Sequence, residues 1–132
     1  MKKIAWDESL SVEVDEIDED HRKLVKLFNI LSDSVTDGDS TDYIGATLDE
    51  LISLTAWHFK HEERLMILYN YDGLAEHKSE HDELIESVKV LQQFYKENKL
   101  LTNEDIEYLE SWLTEHILGH DMKLGFYLMK VM

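Results

Sequence analysis

The sequence predicts an all-α protein: an antiparallel up-down-up-down four-helix bundle with an extended N-terminal arm and a short C-terminal helical tail. Three observations predict it. Proline is absent and glycine occurs five times in 132 residues, so nothing inside the periodic stretches forbids helix, whereas an all-β fold would lack its turn residues. Apolar residues recur at three- and four-residue spacing through four separate segments. The breaks between those segments are only a few residues long, which makes neighbouring helices antiparallel.

Residues 1–18 are expected to form the arm. Val12, Val14 and Ile17 alternate with acids, as in an extended chain lying on the bundle with Ile4 and Trp6 buried. In the first helix His21, Leu24, Val25, Phe28, Leu31 and Val35 share one face, and the pattern ends near Asp37-Gly38. The second runs from about Thr41 to Tyr69, with Ile44, Leu48, Leu51, Thr55, His58, Glu62 and Leu65 on its stripe, and Asp72-Gly73 breaks it. The third carries Leu74, His77, His81, Leu84, Val88, Leu91 and Tyr95 and stops around Asn98. Thr102-Asn103-Glu104-Asp105 has the form of a capping box, and the fourth helix continues from it through Ile106, Leu109, Leu113, His116 and Ile117. One domain is expected over 1–132, with the bundle at 19–121 and the tail at 122–132; a chain of this length supports one core.

Thirteen basic residues against 29 acidic ones give a formal charge of −16, which repels nucleic acid and anionic lipid. No segment approaches the roughly 20 apolar residues of a membrane helix, so no membrane insertion is expected. The start of the chain lacks the apolar run of a secretory signal, and cysteine is absent; both fit a cytoplasmic location. Without thiolates, any transition metal must be held by nitrogen and oxygen.

The informative feature is where polar residues interrupt the apolar stripes. His21 opens the core face of the first helix, His58 and Glu62 interrupt that of the second, His77 and His81 the third, and His116 the fourth. An i, i+4 pair points two side chains the same way, so both can reach one centre. A single inward histidine is more often a hydrogen-bonded core residue. Five imidazoles and a carboxylate buried together would cost several kcal/mol in unmet hydrogen bonds and desolvation, which metal ions would satisfy at once.

Imidazoles with carboxylates suit iron, copper, nickel or zinc, whereas calcium and magnesium want an all-oxygen shell. The donors are too many for one tetrahedral zinc, and His61-Glu62-Glu63-Arg64-Leu65 is not a His-Glu-x-x-His signature. Two metals are indicated. Ferritin-like di-iron proteins need Glu-x-x-His on two helices, and this sequence has none.

The pattern His21, His58-x-x-x-Glu62, His77-x-x-x-His81 and His116-x-x-x-x-Asp121 resembles the hemerythrin family in its short single-domain bacterial form. The resemblance covers nearly the whole chain, including Trp6 in the arm and the Ile17-Asp18 step before His21. It implies reversible dioxygen binding at two non-haem irons, for transport, storage or delivery to an oxygen-consuming recipient protein, by a monomer that is not an enzyme. His77, His81 and His116 would hold one iron and His21 and His58 the other, with Glu62, Asp121 and a hydroxide or oxide bridging them. One position then stays open on the two-histidine iron, where dioxygen enters. Leu24, Phe59, Trp112, Leu113 and Ile117 resemble the family's oxygen pocket, and each is equally ordinary core. The rival readings are a sensory module and a di-iron redox enzyme acting on peroxide or nitric oxide.

His61 and His120 are left over. The first is expected at a helix boundary or the surface, with no metal role. His120 poses a conflict, because in an unbroken helix it lies about 40° from His116 while Asp121 lies about 140° away. A distortion or early helix end at Gly119 would be needed to swing Asp121 inward.

Overall fold

The structure, a computed structural model, describes residues 3–132; the first two residues of the expected arm lie outside the described residues. Among the described residues, five α-helices follow a short 3-10 turn at Glu8–Leu10: α1 (Asp15–Asp37), α2 (Thr41–Leu68), α3 (Leu74–Asn98), α4 (Asn103–His116) and α5 (Met122–Val131). A π-helical turn, Ile117–Asp121, joins α4 to α5 without a break.

The arm ends earlier than the sequence pattern suggested. Asp15, Glu16 and Asp18 crowd the first turn of α1, where carboxylates are stabilised by the unpaired N–H groups and the helix dipole. Val14 is the last extended residue, and Ile17 is already helical, four residues before His21 on the face that Leu24 continues. Asp18 ties the arm down by accepting from the Val12 N–H at 2.8 Å and the Ser11 hydroxyl at 2.5 Å. Ile4, Leu10, Val12 and Val14 are buried, but Trp6, expected inside, is only half-buried, with the Arg22 guanidinium over its ring.

Gly38 closes α1 in the left-handed region at φ 69°, which glycine adopts without strain. Thr102 and Asp105 form the expected reciprocal capping box on α4. Contacts between helices fix their directions. Near one end Asp20 of α1 meets His58 of α2, Glu63 of α2 meets His81 of α3, and Glu80 of α3 meets His116 of α4. Near the other, Asp49 of α2 meets Gln92 of α3, and Thr41 meets Tyr95. Successive helices therefore run antiparallel, and the polar cluster lies toward one end of the bundle.

The predicted tail is α5. Leu124 and Leu128 bury into the core, and the Tyr127 hydroxyl donates to the Tyr69 carbonyl at 2.6 Å. Gly125 meets the arm so closely that a Cβ there would stand 2.3 Å from the Val12 carbonyl oxygen. The arm and α5 thus clamp each other across the bundle.

Candidate metal centre

Every helix of the bundle sends at least one polar side chain to a common point. His21 comes from α1, His58 and Glu62 from α2, His77 and His81 from α3, and His116 from α4, with Asp121 at the end of the π-helical turn. All seven are 0 to 4 % exposed.

Asp121 arrives by way of that turn. A π-helical hydrogen bond spans five residues instead of four, so it brings residue i+5 back under residue i. His116 and Asp121 are five apart, and Asp121 Oδ1 lies 2.9 Å from His116 Nε2. An α-helical continuation would have offered His120 instead. Gly119, where the distortion was expected, has open space where a Cβ would stand and a φ outside the left-handed region, so the turn does not require glycine there.

Each carboxylate divides its oxygens between two groups of imidazoles. Glu62 Oε1 lies 3.0, 3.5 and 3.7 Å from the Nε2 atoms of His81, His77 and His116, and Asp121 Oδ1 lies 3.0 Å from that of His77. The other oxygens face the opposite way: Asp121 Oδ2 is 2.7 Å from His21 Nε2, and Glu62 Oε2 is 3.2 Å from His58 Nε2. Two clusters share two bridging carboxylates, one with three histidines and one with two.

Several of these approaches lack hydrogen-bond alignment. Both Glu62 oxygens and Asp121 Oδ2 are buried with no hydrogen-bond partner despite the nearby nitrogens. The Nε2 atoms of His21 and His58 face each other at 3.1 Å, and those of His81 and His116 at 3.2 Å. Nitrogen and oxygen lone pairs converging without protons correctly placed between them are what a cation satisfies. The donor set therefore fits a pair of transition-metal ions.

The same crowding shapes the acid–base behaviour of the metal-free site. Burial opposes charging of His77, but Asp121 and Glu62 overcome it and push its pKa up to about 9. His58 and His116 are held well above the usual imidazole range, against burial, by Glu62 and Asp121 respectively. Burial raises Glu62 and Asp121, yet the surrounding imidazoles win and hold both well below the carboxylate range.

Around this centre stands a layer that sequence reasoning missed. His58 Nδ1 donates to Asp20 Oδ2 at 2.8 Å, His81 Nδ1 to Glu63 Oε2 at 3.0 Å, and His116 Nδ1 contacts Glu80 Oε1. Each acid is adjacent in sequence to a ligand candidate, as in Asp20-His21, Glu62-Glu63 and Glu80-His81, but serves the histidine of the next helix. That adjacency was the available signal. His61, expected at a helix boundary or the surface, lies half-buried at the edge of the site, with Nδ1 2.5 Å from Asp20 Oδ2 and Nε2 2.8 Å from Glu16. His120 stays outside the seven and contacts Glu80.

Leu24, Phe59, Trp112, Leu113 and Ile117 are all buried. Phe59 stacks on His81 with ring centroids 3.8 Å apart and reaches Trp112 at 6.4 Å. A cleft of about 520 Å³ between α2 and α3 ends on Phe59, Glu63 and His81.

Fold and site define a four-helix-bundle protein with a two-metal histidine–carboxylate centre. The family model "Hemerythrin HHE cation binding domain" matches residues 12–125, and the chain belongs to the hemerythrin family. It is 32% identical over 118 residues to a hemerythrin-like protein of Naegleria gruberi, covering 89% of this chain and 87% of the other. A bacteriohemerythrin of Stenotrophomonas maltophilia (strain R551-3) is 30% identical over 121 residues, covering 92% and 78%. The crystal structure of wild-type hemerythrin superposes with a TM-score of 0.86 at 29% identity, covering 92% of this chain and 95% of that one.

Proposed function

We propose that this protein binds dioxygen reversibly at a di-iron centre held by His21, His58, Glu62, His77, His81, His116 and Asp121. It is an oxygen-binding protein and not an enzyme. The observation that carries the ligand assignment is the division of the Glu62 and Asp121 oxygens between a three-histidine and a two-histidine cluster. Two iron ions, when bound, supply the electrons that dioxygen takes up and gives back.

The chain's own residues do the rest. His77, His81 and His116 would hold one iron and His21 and His58 the other, so the two-histidine side is the one that would leave room for dioxygen. Reversibility depends on keeping water and protons away from the bound gas. Leu24, Phe59, Trp112, Leu113 and Ile117 supply that dry wall; they form the oxygen pocket of this reading.

None of the helices described is long and apolar enough to cross a membrane. In this reading the protein is a cytoplasmic monomer whose one hemerythrin domain spans residues 1–132 and which stores oxygen or delivers it to an oxygen-consuming recipient; its charge of −16 disfavours nucleic acid as a partner. Anaerobic titration of the reduced protein with dissolved oxygen tests the function. Uptake that saturates at one dioxygen per chain, with no hydrogen peroxide released, is expected. Continuous oxygen consumption in the presence of a reductant would instead make the protein a redox enzyme.

A further inference from the structure

His61 and His120 have no place among the seven ligands, yet each ends a chain of contacts that begins on one. On the two-histidine side the order is His58, Asp20, His61: Asp20 Oδ2 stands 2.8 Å from His58 Nδ1 and 2.5 Å from His61 Nδ1. Glu16 holds the far side of His61 at 2.8 Å. On the three-histidine side the order is His116, Glu80, His120, with one Glu80 oxygen on each ring. Asp20 is 4 % exposed and Glu80 half-buried, so neither carboxylate is free to swing in solvent.

An imidazole presents Nε2 to a metal only if the remaining proton stays on Nδ1, and an acceptor at Nδ1 fixes both tautomer and ring orientation. That acceptor must itself be held. His61 and His120 hold it, each by a second contact to the carboxylate. The structure contains its own comparison: the Nδ1 atoms of His21 and His77 are buried with no partner.

Resting on the di-iron reading, we propose that Asp20 with His61, and Glu80 with His120, are positioning residues that tune the two irons separately, one pair for each. Asp20 and His61 act through His58 on the two-histidine iron. Glu80 and His120 act through His116 on the three-histidine iron. Sequence position alone does not suggest this, since Asp20 and Glu80 sit beside His21 and His81.

The test uses the full chain loaded with iron-57, read by Mössbauer spectroscopy of the reduced state and by competition with a chelator. Asp20→Asn and His61→Leu are expected to shift the signal of one iron, and Glu80→Gln and His120→Leu that of the other, while circular dichroism and two irons per chain are retained. Iron affinity should fall about 10- to 100-fold in Asp20→Asn and Glu80→Gln, the usual cost of losing such a partner. His120→Gln keeps an N–H donor toward Glu80 and should restore the parent spectrum, which a merely structural role would not require. Parent-like spectra and affinity in all four variants would overturn the proposal, as would both signals moving together in each. If the unaltered protein does not take up two irons per chain, the di-iron reading itself fails, and this proposal with it.

Discussion

Asp121 reaches the centre although its sequence position points it away, and His120 stays out although its position points it in. The π-helical turn decides between them, and the chemistry agrees: a carboxylate offers one oxygen to each cluster, whereas an imidazole offers one nitrogen to one. Asp121→Ala is therefore expected to bind fewer than two irons per chain by metal analysis, and His120→Ala to retain two. A metal-poor His120 variant beside an intact Asp121 variant would reverse the assignment. Leu113→Ala removes a buried side chain from the pocket wall, which should cost about 2–5 kcal/mol by denaturant unfolding. It should keep both irons while oxygen is lost faster by autoxidation, because the cavity admits water; unchanged autoxidation would make Leu113 plain core. Six of the seven candidate ligands were legible because each interrupts an apolar stripe at helical spacing, and Asp121 only through the resemblance. Asp20, Glu63 and Glu80 stand beside ligand candidates in the sequence, but their partners lie on other helices, and only packing shows which histidine each serves.

At the scale of elements, periodicity located all four bundle helices, and the errors lie at their ends. Alternation read residues 1–18 as extended, but the acids of Asp15, Glu16 and Asp18 start α1 within that stretch. Alternation over so few residues cannot separate an extended arm from a first helical turn. The contact between arm and α5 was equally invisible, since Gly125 gives no local sign of what approaches it. Gly125→Ala would put a methyl group against the Val12 carbonyl, and overpacking of this kind costs about 1–3 kcal/mol. Gly119→Ala, by contrast, meets open space and should melt near the parent temperature. Equal loss of stability in the two variants would contradict the clamp.

For the whole molecule, metal and protons compete for one buried site, and stability should show it. His77, raised from its ordinary 6.5 to about 9, stabilises the metal-free fold fully below pH 6.5, and that contribution is lost as pH rises through about 9. Glu62 and Asp121, lowered from 4.5 and 3.8, contribute above those values and lose their contribution as pH falls through their lower folded-state values. The metal-free protein should therefore melt progressively lower from pH 6.5 to 9.5, while the iron-loaded protein, whose imidazoles are held by metal, should melt higher and vary less. Thermal melts of both forms across that range check this; a metal-free form that gains stability toward pH 9 would contradict it. The most direct test of the central claim is a spectroscopic oxygen cycle on the iron-loaded protein: reduce it anaerobically, add oxygen, then remove the oxygen under inert gas. The ferrous spectrum should return through repeated cycles without added reductant, and a protein left oxidised after the first exposure would contradict reversible oxygen binding.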